Sequence, residues 1–159
     1  MKNETVNQLI VHKGIVSVGH RPGKVRMKYL CGHHYTHVLT IQGKQESPNI
    51  IRKVLIRNGI QWLHLPIGSA KRDVLFQFLP EIRDMTQKVM PILTKPETKL
   101  YIHCAAGIHR TGMITYVLLR SCGYSVSETI YALISLREDT FGQIGQHRLG
   151  WAEQAFGML

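Results

Sequence analysis

The chain has 159 residues, 44% of them hydrophobic and 19% charged, enough to bury a core without disulfides or metals, and it reads as one domain over residues 1–159. Twenty Lys and Arg against ten Asp and Glu give a net charge of +10, which favours phosphate-rich partners: nucleic acid, anionic lipid or phosphorylated protein. No transmembrane segment or secretory signal is expected, and three widely spaced cysteines, Cys31, Cys104 and Cys122, fit a reducing cytoplasm better than a disulfide framework or a zinc site.

In chain order, GIVSV (14–18) is the first predicted strand, followed by a helix over 24–31 and a strand HVLTI (37–41). Ser47-Pro48 opens a helix over 48–58, with proline suited to its first turn. IQWLHLPI (60–67) is the next strand. A long helical segment over 74–94 contains Pro80, which fits a helix start, and Pro91. KLYIHC (99–104) is the last strand. Beyond Gly112 the pattern is purely helical. Residues 110–121 are apolar nearly all round, as in a buried helix. Ser125 and Glu128 form a capping box for a helix whose apolar face is Val126, Ile130, Leu133, Ile134 and the stem of Arg137. DTFGQIGQHRLG (139–150) reads as a loop running into a final helix from about Gln146 to Phe156. This alternation predicts an α/β fold: a central, mostly parallel twisted sheet flanked by helices, with a helical C-terminal third.

The connection between the last strand and the following helix carries the chemistry. Backbone N–H groups of Ala105, Ala106, Gly107, Ile108, His109 and Arg110 can form a concave anion nest, reinforced by the helix N-terminus. The same donors would hold Cys104 as a thiolate, the nucleophilic form. Gly107 gives the loop backbone freedom. Arg110 can grip two phosphate oxygens with its planar fork. Thr111 can donate to the Cys104 sulfur and ease its departure from a thiophosphate. His103, within the strand, reads as a support for Cys104 rather than a proton carrier.

HCAAGIHRTG (103–112) resembles the active-site loop of the cysteine-based protein tyrosine phosphatases, His-Cys-x-x-Gly-x-x-Arg-(Ser/Thr)-Gly. The small size and the GHRPGKVRMKYLCGHHYTHVLTI stretch are similar to the dual-specificity branch. The resemblance implies that branch's fold, a phosphate-monoester hydrolase acting through a cysteinyl-phosphate, and no metal or cofactor. It also implies an aspartate general acid from an upstream loop. LPIGSAKRDVLF has no acidic residue where the acid is most often found. Asp73 is the nearest, and it also reads as a helix N-cap. His109 is its rival, since imidazole titrates near neutrality; substrate contact is its other reading. The family's water-positioning glutamine falls on Gln143 or Gln146, with Gln146 preferred as a helix-opening residue. Arg148 could extend the anion-binding surface or be an ordinary surface residue, as Glu81, Asp84, Glu138 and Asp139 are expected to be.

Tensin-like phosphoinositide phosphatases carry lysines where this loop has Ala105 and Ile108, which moves the reading towards phosphotyrosine, and phosphoserine or phosphothreonine, of proteins. A phosphoinositide phosphatase, an RNA 5′-triphosphatase and a phosphate-binding pseudophosphatase module are the alternatives. Anionic lipid and RNA stay open as partners because of the basic charge. Whether Cys31 or Cys122 can pair with Cys104 depends on distances.

Overall fold

A computed structural model describes residues 6–159. Five strands form one sheet in the order β1-β2-β5-β3-β4: β1 (Leu9–Val11), β2 (Gly14–Gly19), β3 (His37–Ile41), β4 (Gln61–Leu65) and β5 (Lys99–His103). The pairs β2–β5, β5–β3 and β3–β4 are parallel, and β1 pairs antiparallel with β2. The expected α/β architecture with a mostly parallel sheet is therefore the one observed. The edge strand β1 was not expected. It turns back on β2 through His12, whose φ of 55° is adopted without glycine or asparagine.

Helices α1 (Lys24–Gly32) and α2 (Pro48–Arg57) follow β2 and β3. The segment predicted as one helix over 74–94 is two, α3 (Arg72–Gln77) and α4 (Leu79–Ile92). Pro80 explains the break: it has no N–H to donate, so it sits in the first turn of a new helix. The strand predicted over 60–67 ends at Leu65, before Pro66.

The helical C-terminal third comprises α5 (His109–Ser121), α6 (Val126–Leu136), α7 (Glu138–Ile144) and α8 (Gln146–Gly157). The capping box of α6 is present, with Glu128 N–H donating to Ser125 Oγ at 3.1 Å and Ser125 N–H to Glu128 Oε2 at 2.7 Å. Its buried face is Thr129, Ala132, Leu133 and Leu136, an i, i+3, i+4, i+7 stripe. Val126 and Ile134, expected on that face, are 43% and 39% exposed. The final helix begins at Gln146 as expected, but the residues before it, 139–144, expected as a loop, belong to α7, with α7 and α8 parted at Gly145 (φ 84°).

Alternating side chains divide the core between the two faces of the sheet. Tyr101 and Val38 pack with Met27, Leu30, Ile51 and Leu55 of α1 and α2. Leu100, Ile102, Cys104, Leu39 and Ile41 pack with the helices from α3 onward. Because β2, β3, β4 and β5 run parallel, their carboxyl ends converge on one edge, where the loop after β5 meets those after β2, β3 and β4. No described helix is long and apolar enough to cross a membrane.

Candidate active site

Cys104 follows β5 directly and is 3% exposed. Residues 104–108 form an irregular turn that ends where α5 begins. Gly107 has a φ of 71°, and a Cβ there would collide with the backbone oxygen of Gly19 at the end of β2. Only glycine fits the position.

The loop's carbonyls are tied down from outside. Arg21 N–H donates to Ala105 O at 2.9 Å. Arg137 Nη1 donates to Ala106 O and Gly107 O, each at 3.0 Å, and Thr140 Oγ1 donates to Gly107 O at 2.6 Å. A peptide unit points its C=O and N–H in opposite directions. Anchoring three successive carbonyls outward therefore turns the N–H groups of Ala106, Gly107 and Ile108 towards the concave side, as an anion nest requires. Arg137, expected only as an apolar stem under α6, is thus a brace on the loop. Its position at the α6–α7 junction gave no sequence signal.

Burial pushes the Cys104 thiol up, but the opposing effects win and its pKa lies below the ordinary thiol value. These are the Thr111 hydroxyl and N–H, the Arg110 charge and the Ile108 N–H. Thr111 Oγ1 is buried and meets no hydrogen-bond partner in ordinary geometry, so its proton is available to the sulfur.

His103 is fully buried between β2 and β3, and its proton positions follow from its neighbours. Cys104 O, 2.8 Å from Nδ1, can only accept, so Nδ1 carries the proton. Burial is the largest influence on the imidazole and lowers its pKa to about 4, so the ring is neutral and Nε2 accepts. Thr40 Oγ1 donates to it at 2.8 Å and receives the Trp62 indole N–H at 2.9 Å. Every polar side-chain atom of this Trp62–Thr40–His103 relay is satisfied, and the Nδ1–H of His103 holds the carbonyl of Cys104. The low pKa makes a stability prediction. Between the unfolded value near 6.5 and about 4, only the unfolded chain takes up this proton. Roughly 3 kcal/mol of stability should therefore drain away as pH falls through that window. Urea midpoints for wild type and His103→Asn would check this; identical pH dependence in the two would refute it.

Arg110 is half-buried at the start of α5 and held by a residue the sequence did not single out. Its Nη1 and Nη2 donate to the two carboxylate oxygens of Glu46 at 2.6 and 2.8 Å, and Nη1 also reaches Ile67 O at 2.9 Å. Glu46 closes a short 3₁₀ turn (Lys44–Glu46) after β3 and also accepts from Gly43 N–H at 2.8 Å. The hydrogen bonds from Arg110 hold the Glu46 carboxyl below the usual carboxylate range against the effect of burial. Its isolation was the available signal: Glu46 is the single acidic residue between Glu4 and Asp73, just past a central strand.

The other candidates lie around this centre. Asp73 is exposed in the first turn of α3. The N-cap of that helix is Lys71, so the capping alternative for Asp73 is not realised. The preceding loop touches the site through the Ile67 contact and is tied to α8 by Arg148 Nε donating to Ala70 O at 3.4 Å. Arg148 also donates to Ile144 O at 3.1 Å, which makes it a tie between loop and helices. His109 donates from Nε2 to Gln143 O at 3.1 Å, so its ring is turned towards α7. Gln143 and Gln146 are both exposed, on α7 and at the start of α8.

Neither remaining cysteine is placed to pair with Cys104. Cys31 lies against the opposite face of the sheet. Cys122 caps the far end of α5, which at 1.5 Å per residue puts it about 20 Å from the loop. Burial pushes the Cys122 thiol up to about 11.

A buried thiol with a lowered pKa, set in an amide-lined turn beneath a fork-held arginine, is the arrangement of the cysteine-based phosphatases. A profile described as "Tyrosine phosphatase family" matches residues 33–132, and the chain belongs to that family. Comparison with curated protein sequences gives no match. Among solved structures, PTPMT1 superposes with a TM-score of 0.68 at 18% identity, over 96% of this chain and 94% of that one. The kinase associated phosphatase, with serine at its catalytic cysteine, gives 0.64 at 15% identity over 98% and 95%. The core catalytic domain of the PP-IP phosphatase SIW14 from S. cerevisiae gives 0.61 at 18% over 92% and 83%. At these identities the likeness is one of fold.

Proposed function

We propose that residues 1–159 act as one catalytic domain that hydrolyses phosphate monoesters through a cysteinyl-phosphate, with phosphotyrosyl protein, and phosphoseryl or phosphothreonyl protein, as substrates. The observation that carries this reading is the lowered pKa of a buried Cys104 beneath an arginine already oriented by Glu46. The thiolate attacks phosphorus and the ester P–O bond breaks. Arg110 and the inward amides of residues 105–110 bind the equatorial oxygens, whose charge they stabilise most in the transition state. Asp73 gives its proton to the leaving oxygen. Water, oriented by Gln146, then attacks phosphorus and returns a proton to Asp73. The S–P bond breaks and Thr111 stabilises the released thiolate. No step uses a metal or cofactor. Ala105 and Ile108, where lysines would grip additional phosphates, support the choice of protein over phosphoinositide. A thiolate nucleophile needs a reducing compartment, and we place the protein in the cytoplasm.

The test is turnover of an aryl phosphate with a chelator present. Full activity is expected; abolition by the chelator, or no turnover at all, would sink the reading and favour a phosphate-binding module. Residues 66–71 contain no carboxylate, so the acid's role falls to Asp73 in this reading. In Asp73→Asn the fall of kcat/KM at high pH should flatten, because that limb reports loss of the acid's proton. An unchanged profile, with a flattened one in His109→Asn, would move the role to His109.

A further inference from the structure

The positive charge is not spread evenly. Residues 1–80 hold twelve Lys and Arg against three Asp and Glu, whereas residues 81–159 hold eight against seven. Helices α1 and α2 contain no acidic residue, and Lys24, Lys28, Lys53 and Arg57 stand exposed on them. These two helices pack on one face of the sheet, while α4 to α8, which carry Glu81, Asp84, Glu128, Glu138, Asp139 and Glu153, belong to the other. The molecule thus has a cationic face distinct from the rest.

That face is also apolar where a solvated surface would be polar. A groove of about 530 Å³ runs between α1 and α2, with Met27, Ile50, Ile51 and Val54 among its lining and Lys24 and Lys28 at its rim. Val25 and Ile50 are each 62% exposed and Ile56 is 54% exposed. The groove shares one residue with the outer support of the phosphate loop. It begins at Arg21, whose N–H holds Ala105 O and whose guanidinium donates to Gln42 Oε1 at 2.8 Å and Ser47 O at 3.1 Å. It extends to Cys31 and Asn58 at the far ends of the helices, about 13 Å away along α1.

We propose that the α1–α2 face docks on an anionic lipid bilayer, with the groove taking an acyl chain of a bilayer lipid. Lysines and arginines beside exposed aliphatic side chains match a surface lying at the headgroup boundary, where charge attracts anionic lipid and apolar groups enter the acyl region. An acidic peptide would match the lysines and leave Val25, Ile50 and Ile56 without a role. RNA would call for aromatic platforms, whereas the exposed apolar residues here are aliphatic. The proposal goes beyond the hydrolytic reading and does not depend on it.

The test is co-sedimentation of the full chain with vesicles of phosphatidylcholine alone, or of equal parts phosphatidylcholine and phosphatidylserine. Binding to the anionic vesicles alone is expected, weakened by added salt. The double variant Lys24→Gln, Lys28→Gln should bind them roughly 30-fold more weakly, at about fivefold per charge. Ile50→Asp, at an exposed position, should weaken binding further than its single charge explains. Both variants should hydrolyse a soluble aryl phosphate like wild type. Equal binding to the two vesicle types, or no loss in the lysine variant, would overturn the proposal. An acidic phosphopeptide binding in place of vesicles, and lost in the same variant, would overturn it too. Undiminished binding of Ile50→Asp would remove the acyl chain from it. Failure of aryl phosphate turnover in wild type counts against the catalytic reading alone.

Discussion

Cys104→Ser should lower turnover of an aryl phosphate by about 10⁵-fold, the scale on which removal of a nucleophile is felt. A serine hydroxyl in the same place stays protonated at neutral pH, because the surroundings lower the Cys104 pKa from a thiol value and not from that of an alcohol. The tied carbonyls of residues 105–107 do not involve the sulfur, so the amide nest should survive the substitution. Phosphate or vanadate should accordingly bind the variant about as well as wild type, as equilibrium titration would show. Residual hydrolysis within tenfold of wild type would remove Cys104 from the nucleophile's role.

Arg110→Lys should reduce kcat/KM by about 10³-fold despite keeping the charge. Lysine offers a point charge, while the guanidinium has five N–H donors and uses three of them on Glu46 and Ile67 O. A lysine that pairs with Glu46 has its charge engaged there and presents no fork to phosphate. The loss should appear in kcat as well as KM, because equatorial oxygens gain charge in the transition state. Steady-state kinetics on aryl phosphate would decide; near-normal kcat would mean that the amides alone carry the anion.

The contrast between Arg110 and its partner shows what a sequence reveals of such a site. Cys104, Gly107, Arg110 and Thr111 are legible because they are packed into one turn, and the chemistry needs those residue types in that order. Glu46 and Arg137 act on the same loop from 64 and about 30 residues away, so only the sheet order brings them there. The same distinction holds for the fold. HVLTI could be read as a strand to the residue because its β-branched side chains are buried on both faces. The three-residue β1 depends on pairing with β2, and the break at Phe78 depends on what Pro80 forbids upstream. On α6 hydrophobicity alone is a poor guide to the buried face, because Thr129 faces the core while Val126 and Ile134 stand exposed.

The brace from Arg137 and Thr140 has a further consequence for where function resides. Both lie past the end of the stretch, residues 33–132, that carries the family likeness. A fragment cut at residue 132 would keep every residue of the active-site motif and lose the groups that anchor two of its three tied carbonyls, those of Ala106 and Gly107. The motif supplies the reactive atoms, and the C-terminal third gives them their shape.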